Sequence, residues 1–364
     1  MAAALQHIGL SLGRMSHWHD GLGEFSRQLG GALAARAAAL RERHGWQLHF
    51  HLPRAFHGVF GPEVGYLATH TTQRWLHLRG TRFALWHLLH QHNRLLAPLG
   101  TQRQLETVHD LNFLHAKTPA KIARYRAAMR RRLARRDAAV AITHYVAEDL
   151  RRELAPLATP LHVIHNGATD LTGVARQPVD GVGEQPFLLH ISRMAPNKNI
   201  LALLDLAAVW PEQAFVLAGA PSAYTGTVQQ AIASRGLRNV RVRLDLAEGQ
   251  KAWLYARCQG FLFPSLAEGF GLPPIEAMHF GKPVFLSRRT SLPEVGGAVA
   301  HYFDEPFDGA AMRAVVQAGL AADAAPGRAE AIATHARQFS WTRCAEQHIA
   351  LYRQVLAGQS AGGA

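Results

Sequence analysis

With 364 residues, 48% of them apolar, and no region dominated by one or two residue types, the chain has material for two packed domains and little reason to be disordered. Two cysteines, Cys258 and Cys344, exclude a disulfide framework and lack metal-ligand spacing, and no apolar run is long enough to span a bilayer. The formal charge of +13 is uneven: residues 1–180 carry 23 Lys and Arg against 12 Asp and Glu, so this half faces something anionic or uses the charge for solubility.

The start, Met1-Ala-Ala-Ala-Leu5, has no basic stretch followed by a long apolar core, and a cytoplasmic protein is expected. Leu5–Leu12 reads as a buried strand ending at Gly13, and Gly21 and Gly23 precede a helical pattern from Phe25 to Leu40. Further strands are expected at Leu48–Leu52, Gln104–Val108, Ala138–Ile142 and Leu161–Ile164, separated by helical stretches of Ala, Leu and Arg. That alternation predicts a parallel sheet with crossover helices. Residues 117–136 hold nine basic side chains and no acidic one, while Ile122, Tyr125, Met129 and Leu133 recur at helical spacing. Such a helix either docks on anionic lipid or a phosphorylated acceptor, or covers the sheet and keeps a solvated basic face.

Residues 173–186 are rich in Gly and Pro and without periodicity, which predicts a linker between a domain at 1–172 and a second at 187–340. The second series of strands is expected at Phe187–Ile191, Ala214–Ala218, Val240–Leu244, Gly260–Phe263 and Pro283–Leu286, before a terminal helix and flexible tail over 341–364. The fold class is therefore α/β, with two Rossmann-like halves and a cleft at the carboxyl ends of both sheets.

Two clusters carry chemistry. In Phe263-Pro-Ser-Leu-Ala-Glu-Gly-Phe-Gly-Leu-Pro-Pro-Ile-Glu-Ala-Met278, Glu268 and Glu276 stand eight positions apart across the turn Gly269-Phe270-Gly271, between a strand and a helix expected to start near Pro274. Such a turn offers backbone N–H groups to a diphosphate and two carboxylates to sugar hydroxyls. Glu276 lies among Ile275, Ala277 and Met278, where a charge needs a partner. In His190-Ile-Ser-Arg-Met-Ala-Pro-Asn-Lys-Asn199, Arg193 and Lys198 flank a turn directly after a strand, so two cations converge on one phosphate group. No Asp-x-Asp triplet and no paired His or Cys ligands occur, so no metal and no cofactor are expected.

These clusters resemble the donor-binding half of glycosyltransferase family 4, retaining enzymes of GT-B architecture whose last helix crosses back to the first domain. The resemblance implies that Glu268 lies by the donor sugar, that Glu276 holds the ribose hydroxyls, that Arg193 and Lys198 meet the diphosphate, and that Gly271 and Leu272 bring backbone to it. Gly21-Leu-Gly-Glu-Phe25 is similar to the family's first glycine loop, Val108-His-Asp-Leu111 to the segment whose histidine, here His109, faces the reacting sugar, and Phe339-Ser-Trp341 to the start of the last helix. Ile164-His-Asn-Gly-Ala-Thr-Asp170 is similar to the family's turn before the linker, with His165 and Ala168 in place of the usual Pro and Val. Leu244-Asp-Leu-Ala-Glu248 lacks the Gly that the family commonly has there, which leaves the nucleotide-base contact open.

The implied activity is retaining transfer of a hexose-type sugar, with mannosyl transfer among the forms considered, from a nucleotide sugar to a saccharide or lipid-linked saccharide acceptor. Cell-surface polysaccharide or lipopolysaccharide synthesis is the implied setting, at the inner face of the plasma membrane if the 117–136 helix binds it. The competing readings are another GT-B chemistry, a nucleotide-sugar epimerase or a phosphorylase, and a basic nucleic-acid-binding protein. The last leaves Glu268 and Glu276 without a purpose and has no recognisable nucleic-acid-binding motif.

Overall fold

Long, uninterrupted apolar runs such as Phe187-Leu-Leu-His-Ile191 are what a strand covered on both faces requires, and they form two all-parallel sheets. The structure is a computed structural model that describes residues 5–15, 18 and 21–358. It divides into one unit comprising residues 1–167 and 340–364 and a second comprising 168–339.

In the first unit, strands β1 (Gln6–Ser11), β2 (Trp46–Leu52), β3 (Gly65–Ala68), β4 (Phe83–Leu88), β5 (Arg103–Val108), β6 (Ala138–Ala141) and β7 (Leu161–Val163) pair in the order β3-β2-β1-β4-β5-β6-β7. Neither β3 nor β4 is among the strands expected from sequence. In β4, His87 interrupts the apolar run, yet it is fully buried because both ring nitrogens are satisfied. Its Nδ1 is 2.7 Å from the Tyr352 hydroxyl and its Nε2 2.8 Å from Thr107 Oγ1.

Tyr352 comes from the last helix, Trp341–Leu356, which is counted with this unit and buries Cys344, Ala345, His348, Leu351 and Tyr352 along one stripe. Ser340 caps it by accepting a hydrogen bond from the Arg343 N–H. Gly167 is required just before: a Cβ there would stand 2.3 Å from the Trp341 nitrogen. Of the expected tail, residues 359–364 lie outside the described residues.

The basic stretch forms the helix Pro119–Leu133, with Met129 and Leu133 buried and Ile122 and Tyr125 half-buried. Its apolar side is thus spent on its own unit. Two of its neighbouring cations reach inward: Arg132 Nη2 and Arg136 Nε lie 2.6 and 3.2 Å from the two carboxylate oxygens of Glu106, which is wholly buried at the end of β5. Burial pushes the Glu106 carboxyl upward and the two guanidiniums oppose that shift.

In the second unit, β8 (Phe187–Ile191), β9 (Ala214–Gly219), β10 (Val240–Leu244), β11 (Gly260–Phe263), β12 (Val284–Ser287) and β13 (His301–Phe303) pair in the order β10-β9-β8-β11-β12-β13. The short edge strand β13 is the one not expected from sequence. The segment 173–186, expected to be a linker, is counted with this unit and is tied to it. The Gln177 N–H donates to the Gly249 carbonyl, Arg243 Nε donates to the Asp180 carbonyl at 2.7 Å, and Val179 is buried. Its backbone is held by hydrogen bonds outside any helix or ladder, which is why no periodicity announces it. Among the described residues no helix is long and apolar enough to cross a membrane.

Candidate active site

The order of the second sheet reverses between β8 and β11, and open parallel sheets bind ligands at the carboxyl ends of such strands. Arg193 and Lys198 follow β8, and Glu268 follows β11, so both sequence clusters meet at this point. Lys198 Nζ lies 2.5 Å from Glu268 Oε1, and both side chains are largely withdrawn from solvent. The ammonium also stands 5.3 Å from the centre of the Phe263 ring, the last residue of β11. Arg193 is exposed and has no ion-pair partner among the described residues.

Hydrogen bonds between the two loops fix the pair. The Leu266 N–H donates to the Asn197 carbonyl at 2.7 Å, and Asn197 Nδ2 donates to the Ala267 carbonyl at 3.2 Å. Ser265 Oγ lies 2.6 Å from Glu268 Oε1 and 2.9 Å from the Asn197 carbonyl, and its single proton serves one of them at a time. The Glu268 N–H donates to Thr290 Oγ1, and Ser291 Oγ lies within 3.0 Å of the Glu268 and Phe270 carbonyls. Behind the Arg193 loop, Gly219 at φ +137° is obligatory, since a Cβ would stand 1.9 Å from the Ser192 carbonyl oxygen. The sequence alone gives Ser265, Asn197, Thr290, Ser291 and Gly219 no evident role. Asn197 and Ser265 lie inside the two motifs, and that position is the signal that could have found them.

The helix after the glycine turn is Leu272–His279, starting two residues before the position expected from sequence. Gly271 precedes it at φ +110°, in the left-handed region that favours glycine. Pro273 and Pro274 occupy the first turn and bring no N–H, so its donors are those of Leu272 and Ile275 together with the loop's. Glu276 is half-buried in this helix, and the partner that its apolar surroundings demand is Tyr255, whose hydroxyl donates to Oε2 at 2.8 Å. Burial, and then the nearby carboxylate, hold the Tyr255 hydroxyl well above the ordinary tyrosine range, so it remains a donor. The departure at Leu244–Glu248 is milder than the residue types suggest. Asp245 itself adopts φ +54°, a conformation that glycine takes freely and that Asp tolerates better than most.

The first-unit residues are placed differently from expectation. Gly21 and Gly23 do not form a loop ahead of the helix but make the first turn of the helix Gly21–Ala34. Residues 19 and 20, just before them, lie outside the described residues. His109 follows β5 and is buried, edge-on to Phe25 with ring centres 4.4 Å apart. Its Nε2 donates to the Leu89 carbonyl at 2.9 Å, which fixes the tautomer and leaves Nδ1 as an acceptor. Burial drives its pKa down to about 3, so it is a neutral imidazole near pH 7.

Residues 175–303 match the family described as Glycosyl transferases group 1. The chain is 36% identical over 180 residues to the O-antigen chain mannosyltransferase B of Escherichia coli, covering 46% of each. It is 29% identical over 244 residues to the MMP alpha-(1->4)-mannosyltransferase of Mycolicibacterium hassiacum, covering 63% of this chain and 57% of that one. The chain thus spans about half the length of these relatives. Among solved structures, sucrose-phosphate synthase from Thermosynechococcus elongatus superposes with a TM-score of 0.71 at 20% identity, over 97% of this chain and 100% of that one. Anabaena HepE in complex with UDP and glucose superposes with a TM-score of 0.61 at 16% identity, over 98% and 100%. At these identities the structural likeness concerns the fold, which is the two-sheet α/β fold of GT-B glycosyltransferases.

Proposed function

We propose that this member of the group 1 glycosyl transferases moves a hexose-type sugar from a nucleotide sugar to a saccharide acceptor, with retention of anomeric configuration. The observation that carries the reading is the Lys198–Glu268 pair at the point where the second sheet reverses its order, beside Arg193 and the Gly271 turn. The names of both relatives support a mannosyl donor, and the O-antigen chain in the name of the first supports a surface-polysaccharide acceptor.

In the proposed reaction the bond from the sugar C1 to the diphosphate oxygen breaks, a bond from C1 to an acceptor oxygen forms on the same face, and the acceptor's proton passes to the diphosphate. The protein's work is then electrostatic. Lys198 has three protons and Glu268 takes one, so the ammonium can meet a diphosphate oxygen while the carboxylate holds it in place. Arg193, exposed and without an acidic partner among the described residues, supplies the second cation. Glu276, oriented by Tyr255, accepts from the ribose hydroxyls. In the first unit, His109 is a neutral imidazole at neutral pH, with Nδ1 as a hydrogen-bond acceptor and no cationic role.

We further propose that no metal takes part, because lysine and arginine supply the counter-charge that a divalent ion would. Incubation of the purified protein with UDP-, GDP- and ADP-sugars and a mannosaccharide in EDTA tests both points. An extended saccharide with the donor's anomeric configuration is expected. Sugar isomerisation without an acceptor would point to an epimerase, and loss of turnover in EDTA restored by Mn²⁺ or Mg²⁺ would overturn metal independence.

A further inference from the structure

The first unit holds a cavity of about 630 Å³ between residues 93–104 and the basic helix, which the sugar-transfer reading does not use. Six arginines line it, Arg94, Arg124, Arg131, Arg132, Arg135 and Arg136, and none of the residues lining it is acidic. One carboxylate, the buried Glu106, compensates Arg132 and Arg136 from behind. Arg94, Arg124, Arg131 and Arg135 have no ion-pair partner among the described residues. Six guanidiniums against one carboxylate is a site built for an anion with several acceptor oxygens.

Residues 95–99 of the lining are all apolar, and the apolar surface continues outward. Leu96 and Leu99 line the cavity and are 44% and 71% exposed. Their backbone N–H groups donate to the Gln73 and His77 carbonyls at 2.8 Å, which fixes the neighbouring segment beside them. That segment exposes Trp75, Leu76 and Leu78 at 73%, 57% and 62%. These five account for most of the large apolar side chains exposed among the described residues. Exposed leucines and a tryptophan next to unpaired arginines match the two layers of a bilayer surface, phosphate headgroups and the start of the acyl chains.

We infer that this face docks on an anionic bilayer, with lipid phosphate in the arginine-lined cavity and Trp75, Leu76, Leu78, Leu96 and Leu99 inserted at the interface. The arrangement differs from a free interfacial helix, because the apolar contribution comes from the 75–78 and 96–99 segments and not from the helix. A soluble phosphate or a nucleic acid would satisfy the arginines and leave the leucines without a purpose.

Cosedimentation with vesicles of phosphatidylcholine alone, or mixed with phosphatidylglycerol, tests the inference on the full chain. Binding to the mixed vesicles alone is expected. Arg131→Glu/Arg135→Glu and, separately, Leu96→Ser/Leu99→Ser should each lower the partition coefficient about tenfold or more. Equal pelleting with both vesicle types, or wild-type pelleting by either variant, would overturn it. So would displacement from the vesicles by millimolar glycerol 3-phosphate, which would mark a soluble-phosphate site. All four positions are outside the core, so both variants should melt as the wild type does. Their nucleotide-sugar-induced thermal shifts should be unchanged, so that failure here and failure of the transfer reading are told apart.

Discussion

The two units handle positive charge in opposite ways. In the second, Lys198 is matched by Glu268 at 2.5 Å, in a frame of loop hydrogen bonds from Ser265 and Asn197. In the first, six arginines line a cavity and one buried carboxylate pairs with two of them. A matched pair can exchange a partner when a diphosphate arrives and leaves, which suits turnover. A surplus of cations attracts and keeps an anionic surface, which suits location.

Acid should separate the units most strongly. His51 and His109 are held at about 3, and His348 at about 4, chiefly by burial, and all three belong to the first unit. His190, at about 4, is the corresponding group in the second. Below an unfolded value of about 6.5 the unfolded chain binds protons that the folded chain refuses, so stability present at pH 7 is lost as pH falls from 6.5 towards 4. Each such group contributes about 1.4 kcal/mol per pH unit across that window. Thermal melts from pH 7 to 4 should show the first unit failing earlier; a flat melting temperature would contradict the assignment of neutral buried histidines.

The next effect in size concerns the matched pair. Lys198→Ala should lower the transfer rate on the order of 100-fold, the usual consequence of losing one charge contact to a developing anion, about 3 kcal/mol. It also leaves Glu268 without its cation, so the melting temperature must be measured beside the rate; a rate within threefold of wild type would remove lysine from the diphosphate site. Smaller again is Tyr255→Phe, which removes one hydrogen bond to the Glu276 carboxylate, about 1.5–3 kcal/mol, and should weaken nucleotide-sugar binding about tenfold. Unchanged affinity would mean that Glu276 is oriented by something else.

The same contrast decides what the sequence discloses. In the second unit β8, β10 and β11 are bounded by Gly or Pro or by polar turns, and the site follows directly in two contiguous motifs, so strand ends and charges are legible together. The segment 173–186 is held by isolated hydrogen bonds, such as Arg243 to the Asp180 carbonyl, that leave no periodic trace in the sequence. In the first unit β4 is hidden by His87, whose burial depends on Tyr352, 265 positions later. Likewise nothing near His109 announces that the Leu89 carbonyl takes its proton, or that Phe25 covers its ring. The basic run at 117–136 was legible as a helix, but the apolar wall of residues 95–99 that completes the cavity is distant in sequence.

The proposed donor site of the second unit holds a nucleotide sugar through Glu276, Lys198 and Arg193. A thermal-shift series with UDP-, GDP- and ADP-sugars on the wild type and Glu276→Ala tests it most directly, since a ligand at 100 times its dissociation constant stabilises a protein by about 2.7 kcal/mol. A shift with one nucleotide class is expected in the wild type, and its loss in Glu276→Ala. An equal shift in both proteins, or none with any nucleotide sugar, would contradict it.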